Sequence, residues 1–179
     1  MSQFHTLSVL VQNRPGVLAR IAGLFARRGF NIESLAVGPT EDPGYSRVTI
    51  VIEVESEQVL EQITKQLNKL VEVIRILDFA KGEAVRRELI LVKVRADART
   101  RSQLLEVTSM FRGRIVDVAP ESVVIEVTGS YRKIRALLDL LEPYGVRELV
   151  QSGSVALGRG VRAITDRSRY DKTPKAERA

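Results

Sequence analysis

Four consecutive residues, Asn13-Arg14-Pro15-Gly16, separate an alternating apolar segment from an amphipathic one. Pro15 fixes its own φ and holds Arg14 extended. Gly16 lets the backbone approach a ligand closely, or take a conformation closed to other residues. With a helix starting just beyond, the N–H groups of Gly16, Val17 and Leu18 lack intrahelical partners and can receive a carboxylate-sized anion. Asn13 and Asn31 offer side-chain carbonyls that accept from an ammonium. Leu18, Ile32 and Leu35 can line an apolar slot. A carboxylate, an ammonium and an apolar slot together describe a small aliphatic amino acid. Asn, Pro and Gly are also the commonest turn formers, so a plain connection is the alternative.

Other chemistry is scarce. No cysteine is present, which excludes disulfides, thiol catalysis and cysteine-bound metals. The single histidine, His5, lies inside the first alternating segment and is read as structural. No His, Asp and Glu cluster has metal-ligand spacing. Phosphate-loop, dinucleotide and nucleophile-elbow motifs are missing too. Glu53 and Glu55 share one strand face and could form an acid–base pair. A solvated strand face has the same pattern, and that reading is preferred. The residues give no positive argument for an enzyme.

The loop needs a frame, and hydrophobic periodicity predicts one. Residues 4–12 alternate as a strand with Leu7, Val9 and Val11 on one face. Val17, Leu18, Ile21, Leu24 and Phe25 make a helical stripe that stops at Arg27-Arg28-Gly29. Residues 32–37 and 45–55 form a hairpin around the turn-rich run 38–44. Ser56 is a cap candidate for a helix with Val59, Leu60, Ile63, Leu67 and Leu70 inside. Residues 71–79 read as a fourth strand. The order is βαββαβ.

After a short linker at 81–84 the order recurs. Residues 88–96 are a strand, and Thr100 with Gln103 suggests a capping box before a helix carrying Leu104, Leu105, Thr108 and Phe111. Two strands at 114–118 and 123–127 flank a turn at Ala119-Pro120-Glu121. Ser130 opens a helix with Ile134, Leu137, Leu138 and Leu141. A last strand starts at Val146 and continues toward Leu157. The fold class is therefore α+β, two tandem ferredoxin-like βαββαβ sandwiches covering 1–80 and 85–158. Each sandwich leaves one sheet face open. Leu10, Val48, Ile50 and Ile52 are expected on that face, where they need cover from another copy. A homodimer or higher homo-oligomer follows.

The chain has 179 residues, enough for one large or two small cores. Its net charge is +6, but residues 159–179 alone carry +4, leaving +2 over the rest. That basic, apolar-poor segment reads as a disordered tail. No apolar run approaches the roughly 20 residues of a membrane span, and the N-terminus has no signal-peptide pattern. A cytoplasmic location is the default.

The run NRPGVLARIAGLFARRGFNIESL, residues 13–35, resembles the ACT domain that opens the small regulatory subunits of acetolactate synthase (acetohydroxyacid synthase). ACT domains share a strand–N-x-P-G-x-L–helix opening. RRGFNIESLAVGPTEDPGYSRVTI (27–50), LEQITKQLNKLVEV (60–73), RELILVKV (87–94) and FRGRIVDV (111–118) are more specific to that family. The resemblance spans residues 2 to about 160 and excludes the tail after Arg162.

It implies a protein with no catalytic site of its own. Such a subunit binds and activates a thiamine-diphosphate-dependent catalytic (large) subunit. It also confers feedback inhibition by branched-chain amino acids, chiefly valine. The partner condenses two pyruvates to 2-acetolactate and CO2, or pyruvate with 2-ketobutyrate. Thiamine diphosphate, magnesium and FAD are expected on the catalytic subunit only, with no cofactor bound by this chain. The resemblance places the effector between two ACT domains and assigns to it Asn13, Gly16, Val17, Leu18, Asn31 and Ile32, with Gly38 nearby.

Two further functions share parts of this pattern. One is an ACT-type amino-acid sensor for a different partner, although no helix-turn-helix or other reader element is evident. The other is an RNA-binding βαββαβ module. The central strands RVTIVIEV and ELILVKV lack the stacking aromatics such a module uses. An enzyme of the same fold, such as an acylphosphatase-like protein, would need residues the sequence does not show.

Overall fold

A computed structural model describes residues 3–80 and 82–166. The elements run β1 (Gln3–Gln12), α1 (Val17–Arg27), β2 (Ile32–Pro39), β3 (Tyr45–Val54), α2 (Glu57–Leu67) and β4 (Val73–Phe79). The second set is β5 (Ala84–Arg95), α3 (Arg101–Met110), β6 (Arg114–Ala119), β7 (Ser122–Gly129), α4 (Tyr131–Leu141) and β8 (Val146–Gln151). A short β9 (Val155–Gly158) follows. The βαββαβ order thus appears twice. The first sheet is ordered β2-β3-β1-β4; the second is ordered β6-β7-β5-β8, with β9 also paired to β5. All the registers described are antiparallel.

The chain divides into two compact units. One is Arg86–Val155; the other joins the described residues up to Val85 with those from Ala156 onward. In the first unit, Leu7, Val9 and Val11 of β1 pack with Val48, Ile50, Ile52 and Val54 of β3 under Ile21, Phe25, Ile63 and Leu67 of the helices. In the second, Ile90, Val92 and Val94 join Val123, Ile125, Val127, Leu104, Ile134 and Leu137. Burial of these branched side chains, about 1.5–3 kcal/mol each, is what makes short helices of 10–11 residues persist.

Two expectations about the sheet faces change. Val48 pairs with Val9 and Ile50 with Leu7, so Val48, Ile50 and Ile52 belong to the helix side and not to the open face. Among the four residues expected there, only Leu10 points the other way, because side chains alternate along a strand. That outer face is also covered within the chain. Thr6, Ser8, Leu10 and Thr49 are all under 4% exposed. The segment beyond Ala156 supplies the cover. Arg75 Nη1 donates to the Ile164 carbonyl at 2.6 Å, Ile164 is buried, and Gly158 lies against the Phe79 ring.

The segment from Arg159 was expected to be disordered. As far as Asp166 it is described and includes this buried contact; residues 167–179, and Lys81 in the expected linker, lie outside the described residues. Thr100 is the N-cap of α3 as expected, but it makes no side-chain cap bond to the helix. Its Oγ1 instead accepts from the Asp97 N–H, while Asp97 Oδ1 accepts from the N–H groups of Arg99 and Thr100 at 2.8 Å, a reciprocal box in the turn just ahead of the helix. Ser56 and Ser130 occupy N-cap positions without side-chain cap bonds.

Candidate functional site

Gly16 is the N-cap of α1 and sits in the left-handed region, at φ +84°. A side chain there would be strained, which is why glycine ends the Asn-Arg-Pro-Gly run. The loop is closed by Arg14 N–H to the Gln12 carbonyl at 3.0 Å, and by Val17 N–H to the Arg14 carbonyl at 3.5 Å. Val17 therefore does not offer a free donor, as had been expected. Among the described residues the N–H groups of Gly16 and Leu18 have no hydrogen-bond partner. They are the open donors at the start of α1, the kind of helix end to which an anion is complementary.

Asn13 is fixed by the β2–β3 hairpin. Its N–H donates to the Gly44 carbonyl at 2.8 Å and its Nδ2 to the Pro43 carbonyl at 3.1 Å. Asn31 donates from Nδ2 to Glu33 Oε1. In both cases the amide nitrogen is used, leaving the side-chain carbonyl as the acceptor for an outside donor.

The expected site residues do not meet within one chain. Gln12 pairs with Tyr45, and Pro39 with Ser46, so the β1–α1 loop stands beside the end of β2, at Gly38 and Pro39. Ile32 pairs with Ile52, which pairs with His5, at the start of β1. Asn31 and Ile32 are thus at the opposite end of the sheet, about 23 Å away along the eight-residue β2. Register thus sets the loop beside the end of β2 and not beside its beginning. Leu18 and Val37 are exposed, Ile32 and Leu35 half-buried, and β2 is an edge strand.

One neighbour was missed. The Arg20 guanidinium lies 3.8–3.9 Å from where a Gly16 Cβ would be and pairs with Glu72 at 2.6 Å. It adds positive charge at the same helix end. Its position four residues after Gly16 was the available signal, since i and i+4 share a face.

Elsewhere His5 Nδ1 lies 3.3 Å from Asp78. Beside it an open hollow of about 180 Å³ is lined by Gln3, His5, Val54, Glu55, Ser56 and Glu57, at the end of the sheet away from Gly16. Glu53 and Glu55 are both exposed, as a solvated face requires. Among the described residues no cluster of three or more His, Asp or Glu side chains could hold a metal, and no helix is long and apolar enough to cross a membrane.

Comparison with known proteins gives this frame a class. A family profile described as "AHAS small subunit-like ACT domain" matches residues 7–75, and one described as "Small subunit of acetolactate synthase" matches 87–160. The acetolactate synthase small subunit of Mycolicibacterium smegmatis is 59% identical over 160 residues, covering 89% of this chain and 94% of that protein. A probable acetolactate synthase small subunit of Methanothermobacter thermautotrophicus is 50% identical over 161 residues, covering 89% and 95%. The crystal structure of the Thermotoga maritima acetolactate synthase small subunit superposes with a TM-score of 0.81 at 41% identity, covering 89% of this chain and 99% of that one. The chain belongs to the acetolactate synthase small-subunit family, the regulatory subunits that carry an ACT domain.

Proposed function

We propose that this chain senses valine, or a related branched-chain amino acid, at a seam between two copies. We further propose that it transmits the signal to the thiamine-diphosphate-dependent catalytic subunit of acetolactate synthase, which it also activates. The register of the first sheet carries the reading. Gly16 and Asn31 stand at opposite ends of the sheet, and β2 is the edge between them. A two-fold axis that pairs β2 with its copy antiparallel brings one chain's Gly16 loop level with the other chain's Asn31 and Ile32. Such an interface is isologous and produces two equivalent sites. It also covers the unpaired β2 edge and the exposed Leu18 and Val37.

In each site the Gly16 and Leu18 N–H groups, with Arg20 behind them, receive the effector carboxylate. The Asn13 and Asn31 carbonyls accept from its ammonium, and Leu18 and Ile32 flank the aliphatic chain, with the Val17 side chain buried in the core beneath. An effector shared by two copies stabilises one arrangement of the seam over others, and that difference is the regulatory signal. Coupling of about 1–3 kcal/mol changes activity several-fold to roughly 100-fold.

In this reading residues 1–80 bind effector and dimerise, and residues 85–158 take part in the response of the complex. Catalysis of acetolactate formation from two pyruvates, with thiamine diphosphate, magnesium and FAD, belongs to the large subunit. The cytoplasm is the proposed location. The deciding experiment is isothermal titration of the purified chain with valine, with leucine, isoleucine and alanine alongside, coupled to native mass spectrometry. Valine binding at two sites per dimer supports the reading. A stable monomer that ignores every branched-chain amino acid, alone and with the catalytic subunit, defeats it.

A further inference from the structure

Three cations of the second unit converge on the end of β7, brought there by register. Leu89 pairs with Thr128 and Glu88 with Gly129, so Arg87 arrives on one flank of β7 just past Gly129. On the other flank Arg114 pairs with Glu126, and Gly113 touches Val127 so closely that a Cβ would sit 2.5 Å from its Cγ2. Arg112 therefore stands level with Thr128. Lys133, in the first turns of α4, folds back over Gly129 and donates from Nζ to the Thr128 carbonyl at 2.8 Å.

None of the three cations makes an ion pair among the described residues. The nearby carboxylates are engaged elsewhere: Glu126 is held by Arg114 at 2.6 Å, and Glu88 is hydrogen-bonded to Ser154. Burial, then the charges of Arg112 and Arg87, push the Lys133 ammonium below the ordinary lysine range. Arg112 is also the one non-glycine among the described residues with positive φ, at +51°. Glycine would fit that conformation with less strain.

We propose that Arg87, Arg112 and Lys133 form a binding site for a small tetrahedral oxyanion of the phosphate class, at the start of α4. A dianion answers three uncompensated cations better than a single carboxylate does, and it presents an oxygen to each. Free phosphate and the phosphate group of a small monoester share this chemistry.

The test is a ¹⁵N-NMR titration of the full chain with inorganic phosphate at low ionic strength, followed at Thr128, Gly129 and Ser130. Glycerol 3-phosphate serves as the monoester arm. The expected result is saturable shifts at these amides, with affinity lowered at least tenfold by Lys133→Ala and by Arg112→Gly. Arg112→Gly should also raise the thermal midpoint, because it relieves the positive φ, so weaker binding in that variant is not loss of fold. Tighter binding of the monoester would make it the ligand, and equal binding would leave free phosphate sufficient. Unchanged amides in the wild type, or wild-type affinity in either variant, would overturn the proposal. Shifts produced by an acidic peptide and not by either phosphate would also overturn it, giving the cluster to a protein partner.

Discussion

Gly16 and Asn31 lie at opposite ends of the first sheet, although only fourteen residues lie between them in the sequence. In the proposed reading one chain therefore supplies two half-sites facing different directions, and effector binding depends on association.

Substitution at Gly16 separates conformation from charge. Gly16→Ala introduces strain at φ +84° but no charge, and its Cβ meets only the Arg20 guanidinium at van der Waals distance. It should cost about 1 kcal/mol of stability and keep partial valine sensitivity. Gly16→Asp adds a carboxylate where the effector carboxylate is proposed to sit, beside Arg20. It should abolish valine inhibition while activation of the catalytic subunit persists. Assay of the reconstituted complex with and without valine distinguishes them, and loss of activation with Gly16→Ala would make the position structural.

The second unit offers a matched pair of glycines. An added Cβ at Gly113 meets Val127 Cγ2 at 2.5 Å, the Glu126 carbonyl at 3.1 Å and Thr108 Cγ2 at 3.1 Å, with fixed backbone among them. Gly113→Ala should destabilise by roughly 1–3 kcal/mol or more. At Gly129 the 2.6 Å neighbour is Lys133 Cδ, on a flexible stem that can move aside. Gly129→Ala should unfold in urea at a midpoint close to wild type, with Gly113→Ala well below both.

Two carboxylates give opposite pH dependence. Bonds from the Thr100 backbone, the Thr100 hydroxyl and the Arg99 backbone hold Asp97 below the ordinary aspartate range. Its stabilising contribution is present above that range and is lost as pH falls through the lower folded value. Burial raises Glu88, only partly offset by its bond to Ser154. Its folded form favours the proton, so stability is lost as pH rises through the folded value. Glu88→Gln should therefore stabilise the chain at pH 7 and change little in acid, whereas Asp97→Ala should weaken it at pH 7 and flatten the acid limb. Thermal melts across pH check both signs.

The cover on the first sheet can be tested directly. Ile164→Ala removes a buried side chain, and Arg75→Ala removes its 2.6 Å bond to the Ile164 carbonyl. Each should accelerate hydrogen exchange at β1 amides and lower stability, by up to about 2–5 kcal/mol for Ile164→Ala. Unchanged exchange across Thr6–Leu10 would mean that the segment merely rests there.

The sequence by itself determined the repeated βαββαβ order and the helix-facing core. Leu7, Val9 and Val11 alternate, and Ile21, Leu24 and Phe25 recur at helical spacing; period is local information. It also gave the Gly16 loop its form, since a left-handed N-cap tolerates little else. Only the tertiary structure decided which face each β3 residue takes, because a shift of one residue exchanges faces and local pattern does not fix pairing. It alone brought Ile164 to Arg75, the partner of Leu10 on β4, a contact between residues 89 apart in sequence. It alone separated Asn31 from Gly16, because distance along the chain carries no record of which strand ends align. The convergence of Arg87, Arg112 and Lys133 was hidden for the same reason: each reads as an ordinary surface cation until register gathers them.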